Sequence, residues 1–412
     1  MKIPRLSRYS LCLSIGIAML AGCGGSQPPT GAPSVLPQGP AIVGLTSSAY
    51  EVLHYFHLRT GSPTAGLTNI NGTLYGTAYG YAPHDRGTVY TISTTGAFNR
   101  LYKFHGPDGA NPFSSLIDVG GTLYGTTEYG GASRNGAVYS ITTGGAENVL
   151  YSFKGGSDGA NPFSSLIYVG GKLYGTTHDG GSSSCSCGTV YSVSMAGAET
   201  VLHRFAGGSD GEYPIAPLVQ VNGALYGTTF GVVNGQNYNP GTVYRISTSG
   251  SEKTLYAFTG YADGSNPLAP LIAVKGKLYG TTYGGGSPSC PSGTVFSVTT
   301  TGSEKVLYSF VCSSSGFFGS DGGAPTAGLV HVNGTFYGTT GYGGSGCPDV
   351  GCGVVYSVSD SGSEKVLHVF QSGSDGAHPF SGLIDVDGTL YGTTQDAGKG
   401  ARPAGTVYAL TP

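Results

Sequence analysis

From Ala49 onward, short apolar runs alternate with glycine-rich turns on a fixed beat. The tetrapeptide Leu-Tyr-Gly-Thr, or a close relative, recurs seven times, with its tyrosines at Tyr75, Tyr124, Tyr174, Tyr226, Tyr279, Tyr337 and Tyr391. A Gly-x-Val-Tyr/Phe element follows every copy and ends at Tyr90, Tyr139, Tyr191, Tyr244, Phe296, Tyr356 and Tyr408. Each unit spans about fifty residues, the period of a four-stranded propeller blade. The chain is therefore expected to be all-β, a seven-bladed β-propeller of four-stranded blades over residues 49–412.

The second repeat shows the blade strand by strand. Ser115 to Val119 is a short apolar strand, Gly120-Gly121 a two-residue turn, Thr122 to Thr127 a second strand and Gly136 to Thr142 a third. Glu147 to Phe153 makes the fourth, with Val149, Tyr151 and Phe153 alternating. That phenylalanine recurs at Phe56, Phe104, Phe205, Phe258, Phe310 and Phe370, as packing between neighbouring sheets requires. His54, His203 and His368 fill the Tyr slot of the fourth strand in other repeats, so they are expected to be packing substitutes.

The repeat begins on a fourth strand, Tyr50 to Phe56, and ends on a third, Gly405 to Leu410. The N-terminal strand should then pair with the C-terminal blade and close the ring, which removes an exposed edge. An open β-solenoid is the rival architecture, but it would need end caps and none is visible. First-to-second and third-to-fourth connections are short, as at Gly120-Gly121 and Thr143 to Ala146. Both sets of long, variable connections emerge on the opposite face, where a rigid scaffold places function.

The segment before the repeats changes the picture of location. Lys2, Arg5 and Arg8 precede an apolar run from Leu11 to Leu20 that is too short for a stable span, and small residues follow. Leu20-Ala21-Gly22-Cys23 resembles a bacterial lipobox, so residues 1–22 are expected to be a lipoprotein signal peptide and Cys23 the lipidated N-terminus. Residues 23–48, rich in Pro, Gly and Ser, form a disordered tether in this scheme. Gly24 carries no acidic retention signal, which points to the outer membrane, on a side left open.

The L-Y-G-T-T, G-G and G-T-V-Y elements, as in Leu123 to Thr127, Gly130-Gly131 and Gly188 to Tyr191, resemble the bacterial GloVer tandem-repeat family over nearly the whole mature chain. The resemblance implies an exported protein with an anchoring device and supplies no activity or catalytic residues. Departures occur at Gly136 to Tyr139 and in the Cys-bearing loop Gly343 to Gly353.

Composition then excludes some functions. Only 10% of residues are charged, the net charge is -3, and no Lys/Arg cluster follows the N-terminus, so no nucleic-acid footprint is expected. Eight cysteines become six once Cys12 is removed with the signal and Cys23 is lipidated, an even count suited to an oxidising compartment. Economy pairs Cys185 with Cys187, Cys290 with Cys312 and Cys347 with Cys352. A metal alternative uses His178, Asp179, Cys185 and Cys187, which share one loop.

Two sets of repeated positions are candidates for chemistry. An Asp-Gly pair enters six of the seven blades, at Asp108, Asp158, Asp210, Asp263, Asp321 and Asp375, with a proline shortly after. Asp-Gly is first a turn signature, and one carboxylate per loop is a poor supply for a Ca²⁺ ion that wants six to eight oxygens. The residue after the Leu-Tyr-Gly-Thr/Ala element diverges to Ala78, Glu128, His178, Phe230, Tyr283, Gly341 and Gln395. This set is the candidate ligand rim, against a tolerant exposed loop start. Glu128 and His178 sit in adjacent blades, yet no nucleophile elbow, metal motif or paired-carboxylate spacing supports a reaction class. The expectation is a monomeric, cofactor-free envelope binding or scaffold module for a carbohydrate or protein ligand. The alternatives are an envelope glycan hydrolase or lyase using Glu128 or His178, and a purely structural envelope component.

Overall fold

The computed structural model describes residues 49–412 apart from 82–84, 232, 235–236, 288, 314–317, 349 and 400–402. The expected signal peptide, lipidated Cys23 and tether, residues 1–48, lie outside the described residues. Seven four-stranded antiparallel sheets appear among them. Blade 2 runs Ile117–Val119, Thr122–Thr127, Ala137–Thr142 and Glu147–Ser152, and the other blades repeat it. Short inner strands of neighbouring blades approach one another, as Thr68–Ile70 approaches Ile117–Val119. The turn between the inner and second strands has two left-handed residues, Gly120 at φ 63° and Gly121 at φ 83°. That geometry matches the twist of a tight hairpin, and Asn71-Gly72 or Asp387-Gly388 supplies it elsewhere.

The ring closes between the chain ends. Ala49–His57 pairs antiparallel with Pro403–Thr411, with Tyr50 opposite Leu410 and Val52 opposite Tyr408. The seventh blade therefore takes its outer strand from the N-terminal end of the domain. Threonine hydroxyls also tie blade to blade. Thr126 Oγ1 donates to the Ser164 carbonyl at 3.0 Å, and Thr393 Oγ1 donates to the Ala65 carbonyl at 3.2 Å across the closure.

The two signature motifs need each other sterically. Tyr139 of the third strand lies across Gly125 of the second, and a Cβ there would come within 2.7 Å of its Oη. The same Gly-under-ring pairing recurs in every blade, from Gly76 with Tyr90 to Gly392 with Tyr408. Each of these rings then meets the outer-strand phenylalanine of the preceding blade edge to face, with Phe153 and Tyr191 at 4.9 Å and Phe56 and Tyr90 at 5.0 Å. The repeat thus encodes both the inside of a blade and its seam.

Six of these tyrosines, Tyr90, Tyr139, Tyr191, Tyr244, Tyr356 and Tyr408, bury a hydroxyl with no hydrogen-bond partner in the protein, and burial raises their pKa above the usual value. Phe296 fills the seventh position. A buried unpaired hydroxyl costs about 1–3 kcal/mol. Tyr139→Phe should accordingly leave the melting temperature unchanged or raise it. A loss above about 1 kcal/mol in denaturant unfolding would refute this.

Candidate functional site

The long loops that enter each blade and the long loops between second and third strands meet on one face. The Glu128 N–H donates to the Asn111 carbonyl at 3.0 Å, and the Asn111 N–H donates to the Arg86 carbonyl of the preceding blade at 2.6 Å. The same clasp holds His178 to Asn161, Phe230 to Tyr213, Tyr283 to Asn266, Gly341 to Ala324 and Gln395 to His378. Each clasp residue precedes a proline and has left-handed backbone, with φ between 52° and 57°. Asparagine tolerates that conformation; Tyr213 and His378 adopt it at a cost.

This clasp redistributes the candidate rim. Ala78 is off register, since it pairs with Thr88 as Thr127 pairs with Ala137, so Tyr79 is the blade-1 counterpart of Glu128. Glu128, Tyr283 and Gly341 are buried, while His178, Phe230 and Gln395 are half-buried. The position is therefore not a uniformly exposed loop start. Gly341 is glycine because Phe380 of the next blade lies on it, where a Cβ would come within 2.2 Å of Cε1.

The residue after the proline is half-buried in six blades and buried, as Thr64, in the seventh. Phe113, Phe163 and Phe380 stand there, against Thr64, Ile215, Leu268 and Thr326 in the other blades. Phe113 and Phe163 have ring centroids 5.6 Å apart although they belong to adjacent blades. From them a run of rings extends both ways. Tyr81, Tyr79, Phe113, Phe163, His178 and Tyr213 follow at centroid spacings between 4.7 and 6.3 Å. On the far side Tyr342 contacts Phe380 at 5.8 Å and His378 at 5.3 Å. Gln395 Nε2 lies 3.5 Å from the Tyr81 hydroxyl and bridges the two groups. The position after the proline is thus aromatic in three blades and Thr, Ile or Leu in the other four.

Polar groups are set among these rings. Glu128 is 6% exposed, and burial, reinforced by the Asp179 charge, pushes its pKa up to about 7 against the opposing Tyr129 hydrogen bond. His178 Nδ1 approaches Asp179 Oδ1 at 3.1 Å, close enough for charge pairing but without hydrogen-bond alignment. Asp179 thus lies beside His178, and its charge also acts on Glu128. His378 Nδ1 pairs with Asp396 Oδ2 at 3.1 Å on the other side of the mouth.

The Asp-Gly carboxylates take local hydrogen bonds from the fourth strand and the turn that follows it. Asp108 accepts from the Tyr102 hydroxyl at 2.6 Å and the His105 N–H at 2.8 Å, and Asp158, Asp263 and Asp321 repeat the pattern. His203 and His368 replace the tyrosine against Asp210 and Asp375. His54 stacks on Phe98 at 4.0 Å, and burial with the nearby His57 lowers its pKa to about 4.

The three disulfides join Cys185 to Cys187, Cys290 to Cys312 and Cys347 to Cys352, with Cα separations of 5.2, 5.5 and 5.4 Å. The metal alternative at His178, Asp179, Cys185 and Cys187 fails, because its two sulfurs bond each other and the imidazole stacks on Tyr213.

Residues 39–232 and 186–408 match the Gloeobacter/Verrucomicrobia repeat. The chain belongs to that family. No curated protein sequence is similar to it. Among solved structures, a puromycin hydrolase is 13% identical at a TM-score of 0.49, with 89% of this chain covered. This chain spans 55% of that enzyme's length. A luciferin-regenerating enzyme is 12% identical at 0.43, covering 89% of this chain and 96% of its own. A gluconolactonase from Xanthomonas campestris is 13% identical at 0.41, covering 88% and 99%. Likeness this low transfers no activity to the repeat protein.

Proposed function

We propose that this repeat protein is a lipid-anchored, monomeric envelope module that binds a carbohydrate at the aromatic half of its loop face. The anchor is Cys23, with the outer membrane as its seat. The run of rings from exposed Tyr81 to half-buried Tyr213 carries the proposal. Aromatic faces suit the apolar C–H faces of sugar rings, and Gln395, His178 and the tyrosine hydroxyls are donors and acceptors for sugar hydroxyls. With few basic side chains in the chain, nucleic acid is a poor fit.

Binding of the full-length protein to a glycan array, followed by titration, tests this. Phe163→Thr copies the residue that Thr326 supplies in a sister blade, so the fold should tolerate it. It should weaken a glycan hit by more than about 1 kcal/mol, roughly fivefold. Unchanged affinity, or binding only to peptides, sinks the carbohydrate assignment. Membrane fractionation of the wild type and of Cys23→Ser tests the anchor separately.

The raised pKa of Glu128 favours a second use of the same mouth, as a glycan hydrolase or lyase with Glu128 as general acid or base. Product analysis on any glycan bound, with Glu128→Gln as the inactive control, decides between capture and cleavage.

A further inference from the structure

At five blade seams a fourth-strand glutamate, Glu147, Glu199, Glu252, Glu304 or Glu364, faces the Asp-Gly aspartate of the preceding blade. The third member of the group is a tyrosine at four of these seams and His203 at the fifth. Histidine also occupies that slot at the two remaining seams, but there the neighbouring blade offers an aromatic ring instead of a carboxylate. Phe98 stacks on His54 at 4.0 Å and 4°, and Tyr50 stacks on His368 at 3.8 Å and 5°. Of the three histidines in this slot, only His203 faces a glutamate.

We propose that His203, Asp210 and Glu252 form a binding site for a divalent transition metal, with Zn²⁺ the fitting ion. Among the described residues it is the one place where three such donors converge, all within 4.8 Å of one another. His203 Nε2 lies 3.1 Å from Asp210 Oδ1, close to the roughly 3.3 Å edge of a tetrahedron built on zinc–ligand bonds of about 2.0–2.1 Å. Glu252 Oε1 is buried with no hydrogen-bond partner, and no lysine or arginine acts on its carboxyl. Two carboxylates sharing one imidazole leave the cluster short of positive charge, which a divalent ion supplies. One nitrogen and two oxygens suit zinc, with the partly exposed side of the cluster left for water. The Ala206 N–H holds the other Asp210 oxygen at 2.7 Å and so orients the carboxylate.

The site is independent of the channel mouth, so its test is separate. Untagged full-length protein, stripped with chelator, is titrated with Zn²⁺ by calorimetry, and bound metal is counted after dialysis. Uptake of one equivalent and a raised melting temperature are expected. His203→Tyr copies Tyr151 and Tyr256 of the flanking blades, and Glu252→Phe recreates the His54–Phe98 stack, so both should fold. Each should lose the equivalent. Tyr50→Glu, which sets a carboxylate beside His368 and Asp375, should gain a second one. No uptake by the wild type, an equivalent that survives His203→Tyr and Glu252→Phe, or a folded Tyr50→Glu protein that gains nothing overturns the proposal.

Discussion

A chain beginning at His57 should aggregate or melt far below one beginning at Ala49. The strand Ala49–His57 is the whole outer strand of the seventh blade, and with all but its last residue gone Pro403–Thr411 becomes an open edge. The loss is not confined to backbone pairing. Phe56 is fully buried and packs edge to face on Tyr90 of blade 1, so it seals the seam between the last blade and the first. Removing such a phenylalanine alone costs about 3–5 kcal/mol, a large share of the roughly 5–15 kcal/mol that holds a typical domain. Tyr50 goes too, with its stack on His368 and its 2.6 Å hydrogen bond to the Asp375 carbonyl. Thermal melts with light scattering compare the two chains. Equal midpoints with both proteins monomeric would mean that the ends do not close a ring.

That closure was legible because strand order is written into the phase of the repeat, and phase survives even where individual residues vary. The glycines under Tyr139 and its equivalents recur in the same phase, but their steric reason shows only in the structure. The pairing of Cys290 with Cys312 was legible for a related reason, since the blade count alone puts their loops on one face. Side-chain exposure on the loop face was not legible. Glu128 and Gly341 vary between repeats as surface residues do, yet the backbone clasp to the residue before proline turns them inward. Phe113, Phe163 and Phe380 lie in plain view after their prolines. What marks them is that the position alternates between phenylalanine and aliphatic or threonine residues, a divergence as great as at the rim. The small hairpin Val233–Asn234 with Asn237–Tyr238 was also missed, because two-residue strands carry no periodicity. The nearness of His203 to Glu252 escaped for a further reason: it arises at the seam between two blades, and aligning repeats does not show which residues of neighbouring blades meet.

Stability of the metal-free protein should fall as pH rises from about 5 to about 8, the opposite of the common acid-denaturation trend. Burial, with the neighbouring aspartate, pushes the carboxyls of Glu199, Glu252, Glu304 and Glu364 up to about 7 and raises that of Glu147. Glu128 at the channel mouth is also pushed to about 7, by burial first. In the unfolded chain these groups titrate near their ordinary value of about 4.3. Between the two values the folded protein holds more protons than the unfolded one, so stability is full below the lower value and is lost as pH climbs through the upper. Physically, a protonated glutamate can donate to the facing aspartate, whereas two ionised carboxyls repel across the seam. Their Oε1 atoms, buried without a partner, are where that proton would sit. Asp108 runs the other way. Burial alone would raise its pKa, but hydrogen bonds from Tyr102 and His105 outweigh that and lower it, so its contribution is lost only at more acidic pH. The five seam glutamates are partly solvent-screened, which shrinks each contribution, yet all five have the same sign. Denaturant midpoints in chelator across this range provide the measurement, with Glu304→Gln and Glu364→Gln as variants whose pH slope should flatten. A midpoint that is flat or rises toward alkaline pH would show that the seam carboxyls ionise as freely in the folded ring as in water.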